Sequence, residues 1–152
     1  PEPDEPEPAT FEGTVGIIDH PAAGGVGMTT LQQLRATRRE GFDRIVFQLE
    51  GGLPGYHLEY IDKPVRQCGS GEPVAVAGDA WLEIRLTPAQ SHTEAGEPTL
   101  KFQERQLDLE VALELQQTCD FEGQVTWVVG VGSPNTFRVL ERGNRLLVDI
   151  EH

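Results

Sequence analysis

From Phe42 onward the apolar residues fall on every second position. That period constrains the fold more than any other feature, because successive side chains of a strand point to opposite faces. Ile45, Phe47 and Leu49 share a face, with Arg44, Gln48 and Glu50 opposite. The same alternation runs through Tyr56, Leu58 and Tyr60, through Leu82, Ile84 and Leu86, and through Val125, Trp127, Val129 and Val131. Leu146, Val148 and Ile150 close the chain, with Asp149 outward. The run Leu107–Gln117 suits a helix by composition, but its apolar set also recurs every second residue, which predicts a strand. Glu40-Gly41-Phe42-Asp43 predicts a turn, making Leu31 to Arg38 the hairpin partner of the strand that follows. Seventeen glycines and 11 prolines in 152 residues supply turns for many short elements. No long amphipathic helix intervenes, so a parallel α/β sheet does not fit. The expectation is an all-β chain, an antiparallel β-sandwich or partly closed barrel with little or no helix.

The start of the chain is of another kind. Pro1 to Pro8 alternates proline with acid and has nothing apolar to bury. Residues 1–10 are read as an exposed, acidic, Pro-rich tether, reaching up to about 25 Å at ~3.1 Å per residue. Residues 11–152 are read as a single β domain. A tether of this type suits a chain whose upstream signal or lipid anchor lies before Pro1; a tag remnant or internal linker is the alternative. Asp19 to Gly27 is read as a flexible surface connection, since Gly24-Gly25-Val26-Gly27 lacks the lysine and hydroxyl of a phosphate loop. Phe11-Glu12-Gly13 recurs as Phe121-Glu122-Gly123, a match too short to establish a duplication.

Twelve basic and 25 acidic residues leave a net charge of −13. Such a chain repels nucleic acid and anionic membrane surfaces. No apolar run approaches the ~18 residues of a membrane span, so no membrane insertion is expected. Cys68 and Cys119 lie in polar, turn-like contexts, outside any CxxC pair. They are read as a disulfide rather than two free thiols, which implies an oxidising compartment. Closing a loop of about 51 residues contributes roughly 4 kcal/mol on the loop-entropy account.

Catalytic signals are weak. Ser91 and His92 are adjacent, which turns their side chains apart, and no GxSxG elbow exists. His57 and Glu59 could share a strand face with His92 nearby, but no spacing demands a metal, and none is expected, nor any other cofactor. With 25 acids some carboxylate pair is inevitable and uninformative. The candidate contacts are non-catalytic. Trp81 alternates with Glu83 and Arg85, so a polar-face Trp81 beside Arg85 could stack on a sugar or anchor a partner, unless a loop or the opposite sheet covers it. Arg38 and Arg44 flank one turn and could hold a carboxylate bidentately, in competition with surface salt bridges to local acids.

Leu31-Gln32-Gln33-Leu34-Arg35 with Gly41-Phe42-Asp43-Arg44-Ile45-Val46-Phe47 resembles the opening of AMIN-type domains. Pro54-Gly55-Tyr56 to Tyr60, Gly69-Ser70-Gly71-Glu72-Pro73-Val74 and Gly78-Asp79-Ala80 resemble the AMIN-like branch of bacterial secreted proteins and lipoproteins. So do Phe121-Glu122-Gly123 with Thr126-Trp127, and Phe137-Arg138-Val139 through Arg145 to Ile150. The likeness spans about residues 29–151. It implies a β-sandwich that is not an enzyme and that contacts peptidoglycan or another wall glycan, in an exported protein of the periplasm or cell surface. The other readings are an adaptor for an envelope protein and, less well supported, a glycan hydrolase.

Overall fold

The computed structural model describes residues 7, 8 and 10–152. Of the expected tether, residues 1–6 and 9 lie outside the described residues. Among the described residues there are strands and no helix. In chain order they are β1 (Ile18–His20), β2 (Thr29–Arg39), β3 (Phe42–Glu50), β4 (Gly55–Ile61), β5 (Val65–Arg66), β6 (Pro73–Val74) and β7 (Ala80–Thr87). There follow β8 (Ala89–Gln90), β9 (Glu104–Gln106), β10 (Ala112–Phe121), β11 (Gln124–Val131), β12 (Phe137–Arg142) and β13 (Arg145–Glu151). One sheet runs β1-β4-β7-β11-β10-β9 and the other β12-β13-β3-β2-β8; β5 and β6 form a separate ribbon. Pairing is antiparallel throughout except at the β2–β8 edge. This is the all-β architecture that the alternation predicts.

The core lies between the inner faces of the two large sheets. Ile45, Phe47, Leu49, Leu146, Val148 and Ile150 come from one sheet. Leu58, Leu82, Ile84, Leu86, Trp127 and Val129 come from the other. Each such side chain contributes about 1.5–3 kcal/mol when removed from water. The β2–β3 hairpin turns at Glu40 and Gly41, as expected, with Gly41 at φ 89°. Glu122 and Gly123 both have positive φ (52° and 80°), the two-residue turn that matches the twist of the β10–β11 hairpin. Phe11-Glu12-Gly13 makes no such turn; it lies before β1, against the outer face of the β12–β13–β3 sheet.

Two elements differ from expectation. Residues 107–111 are the connection between β9 and β10, not strand. Leu107 and Leu109 donate backbone hydrogen bonds to Leu113 and Ala112, and Asp108 is left-handed at φ 52°. A bulge between Ala112 and Glu114 then changes which side chains face inward, so Ala112 and Leu115 are core while Leu113 is half-buried. The connection expected over 19–27 starts later, because Asp19 and His20 pair with His57 and Tyr56 at the sheet edge.

The β5–β6 ribbon covers the outer face of the first sheet. Val65, Val74 and Val76 pack with Trp81 and Val128 as a small second apolar cluster. Gly130 allows the crossing: a Cβ there would stand 1.8 Å from the Ala77 carbonyl oxygen. The Cys68–Cys119 disulfide, with Cα atoms 5.3 Å apart, fastens the tip of the ribbon to β10.

Candidate functional site

Polar side chains converge in two places. The first is an open cleft of about 310 Å³ at the β1–β4 edge, lined by Asp19, His20, Tyr56, His57, Arg85 and Gln124. Register builds it. Asp19 pairs with His57 and His57 with Arg85, so these three form a row across β1, β4 and β7 on the outer face. His57 Nδ1 meets Asp19 Oδ1 at 2.8 Å, and its Nε2 meets Glu59 Oε1 at 2.8 Å. The hydrogen bonds to Asp19 and then Glu59 raise the His57 pKa above its ordinary value. Both ring nitrogens are engaged by carboxylates, so neither is turned to the cleft as a base. Arg85 Nη2 donates to Glu83 at 3.2 Å. In the neighbouring row, which faces the other sheet, His20 stacks on Tyr56, centroids 4.9 Å apart, and the Tyr56 hydroxyl donates to Glu141 at 2.8 Å. The cleft offers donors, acceptors and a ring face.

The second place is the outer face of the other sheet. Arg44 pairs with Asp149, and Asp149 with Arg138, so β3, β13 and β12 present Arg–Asp–Arg in one row. Asp149 is fully buried, and both arginines nearly so. Arg44 Nε donates to Asp149 Oδ1 at 2.8 Å and its Nη2 to Oδ2 at 3.0 Å; Arg138 Nε donates to Oδ2 at 2.9 Å. One carboxylate between two guanidiniums leaves an excess positive charge, and Glu7 meets it. Arg44 Nη1 and Nη2 donate to Glu7 Oε1 and Oε2, each at 2.7 Å, a bidentate fork. Arg138 Nη2 stands 3.7 Å from Glu7 Oε2. The Arg44 hydrogen bond depresses the Glu7 pKa despite partial burial. Burial opposes the charge of Arg44, but the hydrogen bonds to Asp149 and Glu7 outweigh it and raise its pKa. The Phe11 and Phe42 rings flank the guanidiniums; the Arg138 carbon lies 4.2 Å from the Phe11 centroid.

The residues singled out from sequence are not brought together. Arg44 does hold carboxylates, but its companion is Arg138. Arg38 pairs with Asp43 while Thr37 pairs with Arg44, so Arg38 projects from the opposite face of the sheet. It meets Glu110 at 3.5 Å. Trp81 is on the outer face, as the alternation requires, yet the ribbon leaves it only 8% exposed. Its indole donates to the Val76 carbonyl at 3.0 Å, and Lys63 stands over its ring. Ser91 Oγ and His92 Nδ1 both bond Asp120 Oδ2, at 3.0 and 2.9 Å, so the histidine is turned to the acid rather than to the serine. Among the described residues no three His, Cys, Asp or Glu side chains group as metal ligands would. Sequence reasoning missed Arg138 and treated Asp149 as merely outward. Opposite charges at outward positions of apolar strands, Arg44, Arg138 and Asp149, were the available signal.

Compared with known proteins, the chain matches the family model of the AMIN-like domain over residues 29–152. No curated protein and no solved structure matches it.

Proposed function

The chain belongs to the AMIN-like domain family, and from that premise we propose that it is a non-catalytic cell-envelope module that binds peptidoglycan or another wall glycan. AMIN-like domains are generally binding or targeting modules of exported proteins, and the Cys68–Cys119 disulfide fits an oxidising location outside the cytoplasm. The observation that carries the ligand class is the β1–β4 cleft. Asp19, His57, Arg85 and Gln124 bring polar groups to the cleft and His20 brings a ring, a mixture that suits sugar hydroxyls and a sugar's apolar face. A net charge of −13 opposes adsorption to an anionic wall, so recognition rests on hydrogen bonds and ring contact. Arg85 is therefore retained as a ligand contact. Trp81 would join it only with the ribbon displaced.

Retention of the pure chain on isolated sacculi at low salt tests this reading. Wild-type protein should be retained, and Arg85→Ala with Gln124→Ala should be released. Failure of the wild type to bind sacculi would remove the glycan reading. A second reading, an adaptor for another envelope protein, is favoured by a different observation, the buried arginine fork.

A further inference from the structure

We infer that the Arg44–Arg138 fork is a receptor for an extended acidic peptide of a partner protein, reading one side-chain carboxylate, and that Glu7 is its occupant in cis. The inference rests on the adaptor reading and is independent of the β1–β4 cleft.

The charge count is the first argument. Arg44 and Arg138 are nearly buried and share one buried carboxylate, Asp149. A desolvated excess cation is costly, so the row requires an anion from outside the sheet. The second argument is shape. The two outer nitrogens of Arg44 lie side by side and already grip a carboxylate through both oxygens. A planar fork suits a planar carboxylate bidentately. The third is how the present occupant is fastened. Its segment is anchored at Thr14, which exchanges two backbone hydrogen bonds of 2.9 Å with Phe137. Phe11 adds ring contacts with Phe42 and Arg138. Glu7, about one-third exposed, is held through its side chain. A partner segment can therefore displace Glu7 while Phe11 and Thr14 stay in place. Proline precedes and follows Glu7 in the sequence and favours an extended backbone, so a short extended segment carrying a glutamate is the ligand that suits the fork. Net negative charge slows the approach of such a peptide, but added salt screens that long-range repulsion more than it weakens the desolvated fork.

The probe is a labelled decapeptide with the sequence of residues 1–10, and a second with glutamine in place of its seventh residue. Binding is read by fluorescence anisotropy against the full chain, wild type and Glu7→Gln. The Glu7→Gln chain, freed of its competitor, should bind the glutamate peptide about tenfold more tightly than wild type. It should bind the glutamine peptide about tenfold more weakly than the glutamate peptide. Arg44→Lys keeps the charge but not the fork and should lose the preference; circular dichroism verifies its fold, and Arg138→Lys is the second variant. Equal binding of the two peptides, or no binding to Glu7→Gln, overturns the proposal. So does competition by inorganic phosphate as strong as by acetate. If the peptide fails to bind while Glu7→Gln increases retention on sacculi, the fork reads wall carboxylates and the protein-partner inference is wrong.

Discussion

Replacing Asp149 by alanine should destabilise this protein far more than a surface carboxylate would. Asp149 is fully buried and accepts three charge-assisted hydrogen bonds, two from Arg44 and one from Arg138, all between 2.8 and 3.0 Å. Without it, two nearly buried guanidiniums are left, among the described residues, with Glu7 alone to compensate. Removing one partner from a buried ion pair costs about 3–5 kcal/mol, most of it from the orphaned charge. Glu7 still offsets part of that, so the loss should lie near 3 kcal/mol, or a fall in Tm of roughly 10 °C for a chain of this size. Urea denaturation followed by far-ultraviolet circular dichroism, with unchanged slope, measures it. The control is the triple replacement Arg44→Met, Asp149→Leu, Arg138→Met. Exchanging the whole row for apolar side chains should leave stability within about 1 kcal/mol of wild type, because no buried charge is orphaned and the partly exposed Glu7 can turn to water. A loss below about 1 kcal/mol for Asp149→Ala, the worth of an exposed pair, would refute the buried-charge reasoning. A triple variant as unstable as the single one would place the loss in packing instead.

Gly130→Ala should force Ala77 away from β11, because the added Cβ would stand 1.8 Å from its carbonyl oxygen. A cost of about 1–3 kcal/mol and a red shift of tryptophan emission are expected as the ribbon lifts from Trp81, and unchanged emission would contradict the packing described. Cys68→Ser with Cys119→Ser should lower unfolding free energy by about 4 kcal/mol, as read from the denaturation midpoint under non-reducing conditions, and no shift would mean that the ribbon is held by packing alone. His57 is protonated preferentially in the folded state, so its contribution is fully present below the ordinary histidine pKa of 6.5 and is lost as pH rises through the higher folded value. Titration of its ring by NMR should give a pKa above 6.5, and His57→Gln should flatten the stability profile in that range; a native pKa at or below 6.5 would exclude the Asp19–Glu59 clamp.

Much of the architecture is legible in the residues because burial of one strand face imposes a period of two. Ile45-Phe47-Leu49 and Leu146-Val148-Ile150 announce their faces before any partner is known, and the turn at Glu40-Gly41 announces where one strand reverses. The Cys68–Cys119 pairing is legible too, since two polar-flanked cysteines leave one intramolecular combination. Periodicity fails over 107–111, where alternating leucines span a tight connection and a bulge resets the inward set.

What tertiary structure decided is everything that depends on register between distant strands. Arg44, Arg138 and Asp149 are separated in sequence by as many as 105 residues, and only the alignment of β3, β13 and β12 sets them in one row. Arg38, near Arg44 in the chain, is removed from it by the strict alternation of strand faces. Trp81 lies on the polar-patterned face that its neighbours predict, but the ribbon just upstream of its strand folds back and shields it. Local pattern determines which side of a sheet a residue occupies, because that is a property of the strand alone. Which side chains meet there, and what covers them, follows from long-range packing that no local period encodes.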